Sequence, residues 1–140
     1  MVYHGGFLKY CKDRGIPIVL GVEPNDKTCQ YARRTFGISM LCGAFPEVYP
    51  NFRFDMVCAF DVMEHYSNPI KFMTTMKKIG KNLMIQVPSD GEQHMKSQEH
   101  LYLFSKPGLY YIAEKANVSV KCIKPGAFHS DLLIMGERLS

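Results

Sequence analysis

Three short apolar runs, separated by segments with helical spacing, most constrain how this chain can fold. They are IPIVLGVE at residues 16–23, FDMVCAFDV at 54–62 and KNLMIQVP at 81–88. Continuous apolar runs of this kind are typical of strands that are buried on both faces of a parallel sheet. Strands that alternate with helices predict an α/β fold, in which helices cover both faces of a mostly parallel sheet.

The segments between these strands carry signals for helix starts. Asn25 or Asp26 can cap one helix, because short polar side chains accept hydrogen bonds from the free N–H groups of a first turn. Asn68 precedes Pro69, and proline is favoured at the first helical position. Ser105 is the expected cap of a third helix.

The last two apolar segments predict a different kind of pairing. VSVKCI at residues 118–123 and DLLIMGERL at 131–139 are separated by a Pro-Gly turn rather than by a helix. Antiparallel strands can be joined by a short turn, whereas parallel strands need a long crossover. We therefore expect an antiparallel hairpin at the C-terminal edge of the sheet.

The composition excludes several classes of function. The 140 residues are enough for one domain, and a net charge of +4 is too mild for a nucleic-acid-binding tail. No apolar run is long enough to cross a bilayer, so no membrane partner is expected. The five cysteines include no C-x-x-C pair, which is typical of reduced thiols in the cytoplasm rather than of a disulfide framework or a zinc site.

Glu23 is the first candidate for a binding residue. It ends the first apolar run, and ligands of open α/β sheets bind beside the carboxyl ends of the strands. In nucleotide-binding βαβ units, an acidic residue about 20 positions after a glycine loop accepts hydrogen bonds from ribose hydroxyls. Glu23 lies close to that distance from Gly5 and Gly6, which precede a predicted helix. The alternative is that Glu23 is an exposed loop carboxylate.

Glu64 and His65 are the second candidates. They follow Phe60 and Asp61, which end the second apolar run at the same predicted edge of the sheet. A carboxylate beside an imidazole can act as a general acid–base pair. The alternative is that the two residues only hold the connection through backbone hydrogen bonds.

The polar stretch after the third run contains potential metal ligands. His94, Glu99 and His100 lie in it, but their spacing matches no zinc pattern. We therefore predict no metal site, and interpret this stretch as a polar loop over the sheet edge.

Two motifs together give the chain a family resemblance. GVEPN at residues 21–25 and FDVMEH at 60–65, in this order and at this separation, resemble the class I S-adenosylmethionine-dependent methyltransferases. The resemblance extends over nearly the whole chain. It implies a Rossmann-like fold, S-adenosylmethionine as the cofactor, and methyl transfer to an acceptor that the sequence does not identify and that we expect to be a small molecule.

The resemblance also implies roles for individual residues. Glu23 would hold the ribose, Phe60 and Asp61 would lie beside the methionine portion, and His65 would face the reaction centre with Glu64 next to it. The complete set of implied cofactor-binding residues is Gly5, Gly6, Glu23, Pro24, Asn25, Gly43, Ala44, Phe60 and Asp61.

The chain departs from the family pattern at its start. The family's first strand ends in a Gly-x-Gly-x-Gly run, whose two earlier glycine positions are Met1 and Tyr3 here. We therefore expect a single methyltransferase-like domain over residues 1–140 that is truncated at its N-terminus. The missing strand would expose the edges of its two neighbours, which a partner protein or a second copy of the chain would cover.

This departure keeps two other functions open. A degenerate, non-catalytic methyltransferase-like module for protein interaction would not need the glycine loop. A dinucleotide-dependent oxidoreductase would share the ribose-binding acid, although FDVMEH gives it no support.

Overall fold

The computed structural model describes residues 5–89, 100–126 and 131–139. They belong to two compact units, Met1–Asn51 and Phe52–Ser140. The first unit contains α1 (Gly6–Asp13), β1 (Leu20–Glu23), α2 (Asp26–Phe36) and β2 (Ser39–Cys42). The second contains β3 (Phe54–Phe60), a short 3-10 helix (Met63–His65), α3 (Pro69–Ile79), β4 (Gly80–Pro88), α4 (Lys106–Lys115), β5 (Val118–Pro125) and β6 (Asp131–Arg138). Within the described ranges, no helix has both the length and the apolar run that a bilayer crossing requires.

The first unit packs its helices on a pair of parallel strands. β1 pairs with β2 from Leu20 opposite Ser39 to Glu23 opposite Cys42. The buried core of this unit consists of Cys29, Ala32, Ile38 and Met40, with Leu8, Val19 and Phe36 packed against it. The short strands end together, so the residues that follow β1 and β2 meet at one edge.

β1 is shorter than the apolar run that predicts it. Residues 16–19 precede the strand, and the side chains of Ile16 and Ile18 are 47% and 67% exposed. Among the described residues β1 pairs with one strand, β2. The pairing with β2 starts at Leu20, so residues 16–19 have no strand partner within the described part of the chain.

The second unit is a four-stranded sheet in the order β3-β4-β6-β5. β3 and β4 are parallel, whereas β6 runs antiparallel to both β4 and β5. The predicted hairpin is confirmed, with β5 at the edge, and the α/β fold class is confirmed as well. Antiparallel pairing accounts for two of the four strand pairs in the described residues, so the sheets are more mixed than the sequence suggests.

A buried polar pair links β4 and β6 in this sheet. Gln86 is 9% exposed and Asp131 is 3% exposed. The Gln86 amide Nε2 donates to Asp131 Oδ2 at 3.1 Å. Because buried polar groups are costly without partners, this bond stabilises the pairing register of β4 with β6.

The helix starts follow the capping signals. Asn25, Asn68 and Ser105 each occupy the N-cap position, and each side chain accepts a hydrogen bond from the backbone N–H three residues later. The donor–acceptor distances lie between 2.9 and 3.2 Å. Asn25 rather than Asp26 is therefore the cap of α2.

Replacing Asn68 by alanine is expected to lower the free energy of unfolding by about 1 kcal/mol, because the N–H of Lys71 loses its acceptor. Urea unfolding followed by circular dichroism measures this change. Asn68→Ser retains an acceptor and is expected to unfold close to the wild-type midpoint. Equal destabilisation by both substitutions would contradict a capping role.

Candidate functional site

Glu23 lies at the carboxyl edge of the first unit, where β1 ends. Its side chain is partly buried, and Oε1 accepts a hydrogen bond from the backbone N–H of Asn25 at 2.9 Å. Asn25 in turn caps α2, so the turn through Pro24 is held by both of its ends. The bond to Asn25 uses one carboxylate oxygen and leaves Oε2 available to a ligand.

Gly43 and Ala44 lie beside this turn. The backbone N–H of Gly43 donates to the carbonyl of Glu23 at 3.0 Å, which extends the pairing of β1 with β2 by one residue. Gly43 has φ 149°, and a Cβ at this position would lie 2.9 Å from Val48 Cβ and closer still to Val48 Cγ2. The structure thus brings five of the predicted cofactor residues together: Glu23, Pro24, Asn25, Gly43 and Ala44.

Gly5 and Gly6 occupy the start of α1, but they differ in what surrounds them. Gly5 has φ 85° and is the N-cap, and a Cβ there would lie 3.0 Å from Ala32 Cβ. Gly6 has no atom within 4 Å of the position that a Cβ would take. The close packing of α1 on α2 therefore explains why position 5 is a glycine, whereas Gly6 faces open space.

Asp61 adopts a backbone conformation that is unusual for a residue with a side chain. It follows Phe60 at the carboxyl end of β3 and has φ 53°. Its N–H donates to the carbonyl of Gln86 at 3.0 Å, so the neighbouring strand β4 holds it in place. Left-handed conformations at residues other than glycine are strained and cluster at functional sites.

Glu64 is a fully buried acidic residue of the second unit. It has an exposed fraction of 0%, and neither carboxylate oxygen has a hydrogen-bond partner of acceptable geometry among the described residues. Burial raises the pKa of Glu64 to about 7, although its own nearby backbone N–H and the charge of His65 oppose the rise. In this environment the carboxyl group is stabilised either by taking up a proton or by a positive charge nearby.

His65 approaches Glu64 without bonding to it. The distance from His65 Nε2 to Glu64 Oε1 is 3.7 Å, which is too long for a hydrogen bond. The predicted acid–base pair is thus adjacent but not hydrogen-bonded. The alternative from sequence, that the backbone holds this connection, has support, since His65 N–H donates to the Val62 carbonyl.

His100 is a neighbour of this pair that the sequence analysis did not connect with it. The rings of His65 and His100 meet edge to face with 5.0 Å between their centroids. Thirty-five positions separate the two residues, so spacing along the chain does not predict that they are in contact. The only signal is a repeated Glu-His dipeptide, at 64–65 and again at 99–100, directly after β3 and shortly after β4. His94 and Glu99 lie outside the described residues.

A surface cavity of about 400 Å³ lies elsewhere in the second unit. Residues of α4 and β5 line it together with Asn117 and Leu139. None of the predicted site residues contributes to its lining. The cavity is therefore separate from the cluster around Glu64.

The family of the chain follows from a match over most of its length. A family model described as a methyltransferase domain matches residues 3–122. The chain belongs to this methyltransferase family. No curated protein matches it.

Solved structures show which fold this methyltransferase domain has. It is similar to one chain of the complex between the Trm112 methyltransferase activator of Haloferax volcanii and a candidate methyltransferase, with a TM-score of 0.80 at 15% identity, over 98% of this chain and 79% of that chain. It is also similar to an S-adenosylmethionine-dependent methyltransferase of Aquifex aeolicus, with a TM-score of 0.75 at 16% identity. That match covers 97% of this chain and 78% of the Aquifex chain. A third structural neighbour is the magnesium protoporphyrin IX methyltransferase of Synechocystis PCC 6803 with bound S-adenosylhomocysteine. Its TM-score is 0.70 at 8% identity, and the match covers 97% of this chain and 82% of that chain. The fold is that of the class I S-adenosylmethionine-dependent methyltransferases.

Proposed function

We propose that this methyltransferase domain binds S-adenosylmethionine and transfers its methyl group to an acceptor, for which a small molecule is our expectation. The observation that carries the proposal is the Glu23 turn. A carboxylate at the end of a parallel strand, fixed through one oxygen and open at the other, has the chemistry that a ribose diol requires.

The remaining predicted residues fit parts of the same ligand. Pro24 and Asn25 continue the Glu23 turn and would shape the adenosine pocket, and Gly43 and Ala44 would lie near the adenine. Gly6 leaves space for a ligand to approach the backbone at the start of α1. Gly5 would support that approach indirectly, because it allows α1 to pack on α2.

Phe60 and Asp61 would contact the methionine portion of the cofactor. The strained backbone of Asp61, held by the Gln86 carbonyl, supports a role in binding, because such strain persists where the surrounding structure maintains it. An Asp61 side chain would offer acceptors to the amino group of the methionine portion.

S-adenosylmethionine supplies an activated methyl group, which is transferred by an in-line displacement. The residues of this chain contribute mainly by positioning, because holding two reactants in line can supply much of the rate of such a reaction. Under this proposal Glu23 holds the ribose, and Asp61 binds the amino group of the methionine portion. A general base is required only where the acceptor loses a proton.

Isothermal titration calorimetry on the full chain tests the proposal. We expect saturable 1:1 binding of S-adenosylmethionine and of S-adenosylhomocysteine, and no binding of NAD. Binding of NAD in place of S-adenosylmethionine would favour the oxidoreductase alternative. Absence of binding at millimolar S-adenosylmethionine would refute the proposal for this chain.

A further inference from the structure

Three potential metal ligands from different parts of the second unit converge around Glu64. They are the Glu64 carboxylate and the imidazoles of His65 and His100. One ligand atom from each residue can be chosen so that all three lie within 4.8 Å of one another. None of the three is needed for the cofactor contacts proposed above, so the cluster calls for an explanation of its own.

The burial of Glu64 points to a positively charged ligand. A carboxylate with an exposed fraction of 0% and no hydrogen-bond partner among the described residues is costly, because an unpaired charge loses its hydration. His65 Nε2, at 3.7 Å, comes near it without forming a hydrogen bond. Within the described residues both Glu64 oxygens thus lack a hydrogen-bond partner, and one of them lies within 4.8 Å of a ring nitrogen of His65 and of one of His100.

The backbone holds the second imidazole in place. The N–H of Leu101 donates to the carbonyl of Glu64 at 2.9 Å, which ties the residue after His100 to the 3-10 helix. The hydroxyl of Tyr102 donates to the carbonyl of Ser67 at 2.8 Å, and the buried Phe104 forms a bridge with Ser89. These contacts place His100 beside Glu64 and His65.

The distances in the cluster are close to those of a metal site. Around an ion with metal–ligand distances of about 2.1 Å, tetrahedrally arranged ligand atoms lie about 3.4 Å apart. The Glu64–His65 separation of 3.7 Å is already near this value. Small rotations of the side chains would bring all three atoms into range, since none of the pairs exceeds 4.8 Å.

We propose that Glu64, His65 and His100 bind one divalent transition-metal ion. Two imidazoles with one carboxylate favour ions such as Zn²⁺, Co²⁺ or Fe²⁺ over Ca²⁺ and Mg²⁺, which prefer all-oxygen sites. Three protein ligands leave at least one position open for water or an oxygen donor. The absence of a metal was predicted from spacing along the chain, and spacing does not register a contact between residues 65 and 100.

The proposal goes beyond methyl transfer and does not depend on S-adenosylmethionine binding. It is tested on the full chain after treatment with a chelator and desalting, without the cofactor. Co²⁺ is the probe, because its visible d–d absorption reports coordination number. We expect a 1:1 titration, and a melting temperature that rises with Co²⁺ or Zn²⁺ concentration. Mg²⁺ is expected to have no effect.

Glu64→Gln, His65→Asn and His100→Asn are each expected to weaken Co²⁺ binding by about 100-fold or more, because loss of groups that only support a ligand already costs about 10- to 100-fold. Glu114→Gln, at an exposed position of α4, is the matched control and is expected to bind Co²⁺ like the wild type. The melting temperature of each variant without metal shows whether it is folded. His100→Asn alters a residue outside the buried core, so it keeps the test decisive if Glu64→Gln does not fold.

Three results would overturn the proposal. They are absence of Co²⁺ binding to the wild type, unchanged binding in all three ligand variants, and a sulfur-to-cobalt charge-transfer band that shows coordination by a cysteine. A thermal shift with Mg²⁺ but not with Co²⁺ would also count against a transition-metal site. Loss of S-adenosylmethionine binding in any variant would concern the proposed function and not the metal.

Discussion

Glu23→Gln is expected to weaken S-adenosylmethionine binding about 10- to 100-fold, because a hydrogen bond to a charged acceptor is worth about 1.5–3 kcal/mol. Glutamine keeps a carbonyl oxygen that can accept from the backbone N–H of Asn25, as Glu23 Oε1 does at 2.9 Å. The substitution therefore preserves the turn, while it removes the negative charge and replaces the one oxygen that faces a ligand by an amide donor. Calorimetric titration of both proteins measures the difference.

Thermal melting distinguishes a binding effect from a folding effect at this position. Glu23→Gln is expected to melt within a few degrees of the wild type, and Glu114→Gln is expected to change neither melting nor binding. Equal affinities of Glu23→Gln and wild type would show that the carboxylate does not contact the cofactor. The interpretation of the Glu23 turn as a ribose site would then be wrong even if the chain bound S-adenosylmethionine.

Gly43→Ala is expected to destabilise the chain by about 2–6 kcal/mol, since the strained backbone and the overpacking each cost about 1–3 kcal/mol. At φ 149° a side chain is rarely tolerated, and the added methyl would collide with the β-branched side chain of Val48. Val48 has little freedom to move, because its Cβ itself lies 2.9 Å from the added atom. Urea unfolding followed by far-UV circular dichroism provides the measurement.

Gly6→Ala is the matched control for this glycine. Nothing lies within 4 Å of its added Cβ, so stability is expected to stay within about 0.5 kcal/mol of the wild type. In a Val48→Ala background, the cost of Gly43→Ala is expected to be smaller by about 0.5–2 kcal/mol, because Cγ1 and Cγ2 of Val48 are gone and only its Cβ stays close to the added methyl. A Gly43→Ala variant as stable as Gly6→Ala would contradict the collision. Any loss of cofactor binding in Gly6→Ala would then be a direct effect on the ligand.

Local features of the fold could be predicted because their causes lie within a few residues. Asn25, Asn68 and Ser105 cap helices through bonds to the N–H three positions later, so each signal and its partner appear together in the sequence. The run KNLMIQVP likewise ends where proline stops β4. The antiparallel pairing of β5 with β6 followed from the short connection between them.

Other features depend on contacts that the sequence does not encode locally. The run at residues 16–23 predicts a short buried strand, yet only Leu20–Glu23 is a strand, because strand length depends on the neighbours that are available for pairing. The position of His100 beside His65 depends on the hydrogen bond from Leu101 to Glu64. The need for glycine at Gly43 depends on where Val48 lies, and no spacing rule contains that information.

The strand order β3-β4-β6-β5 has a consequence for how the polypeptide reaches its native state. β5 is synthesised before β6, but it joins the sheet only through hydrogen bonds to β6. During synthesis β5 therefore has no partner strand in the described sheet until β6 has emerged from the ribosome and paired with β4. An unpaired strand of this kind is prone to aggregation. The side chains of Lys121 and Lys124 in β5 are exposed. Charged residues of this type protect a strand that has not yet paired from aggregation.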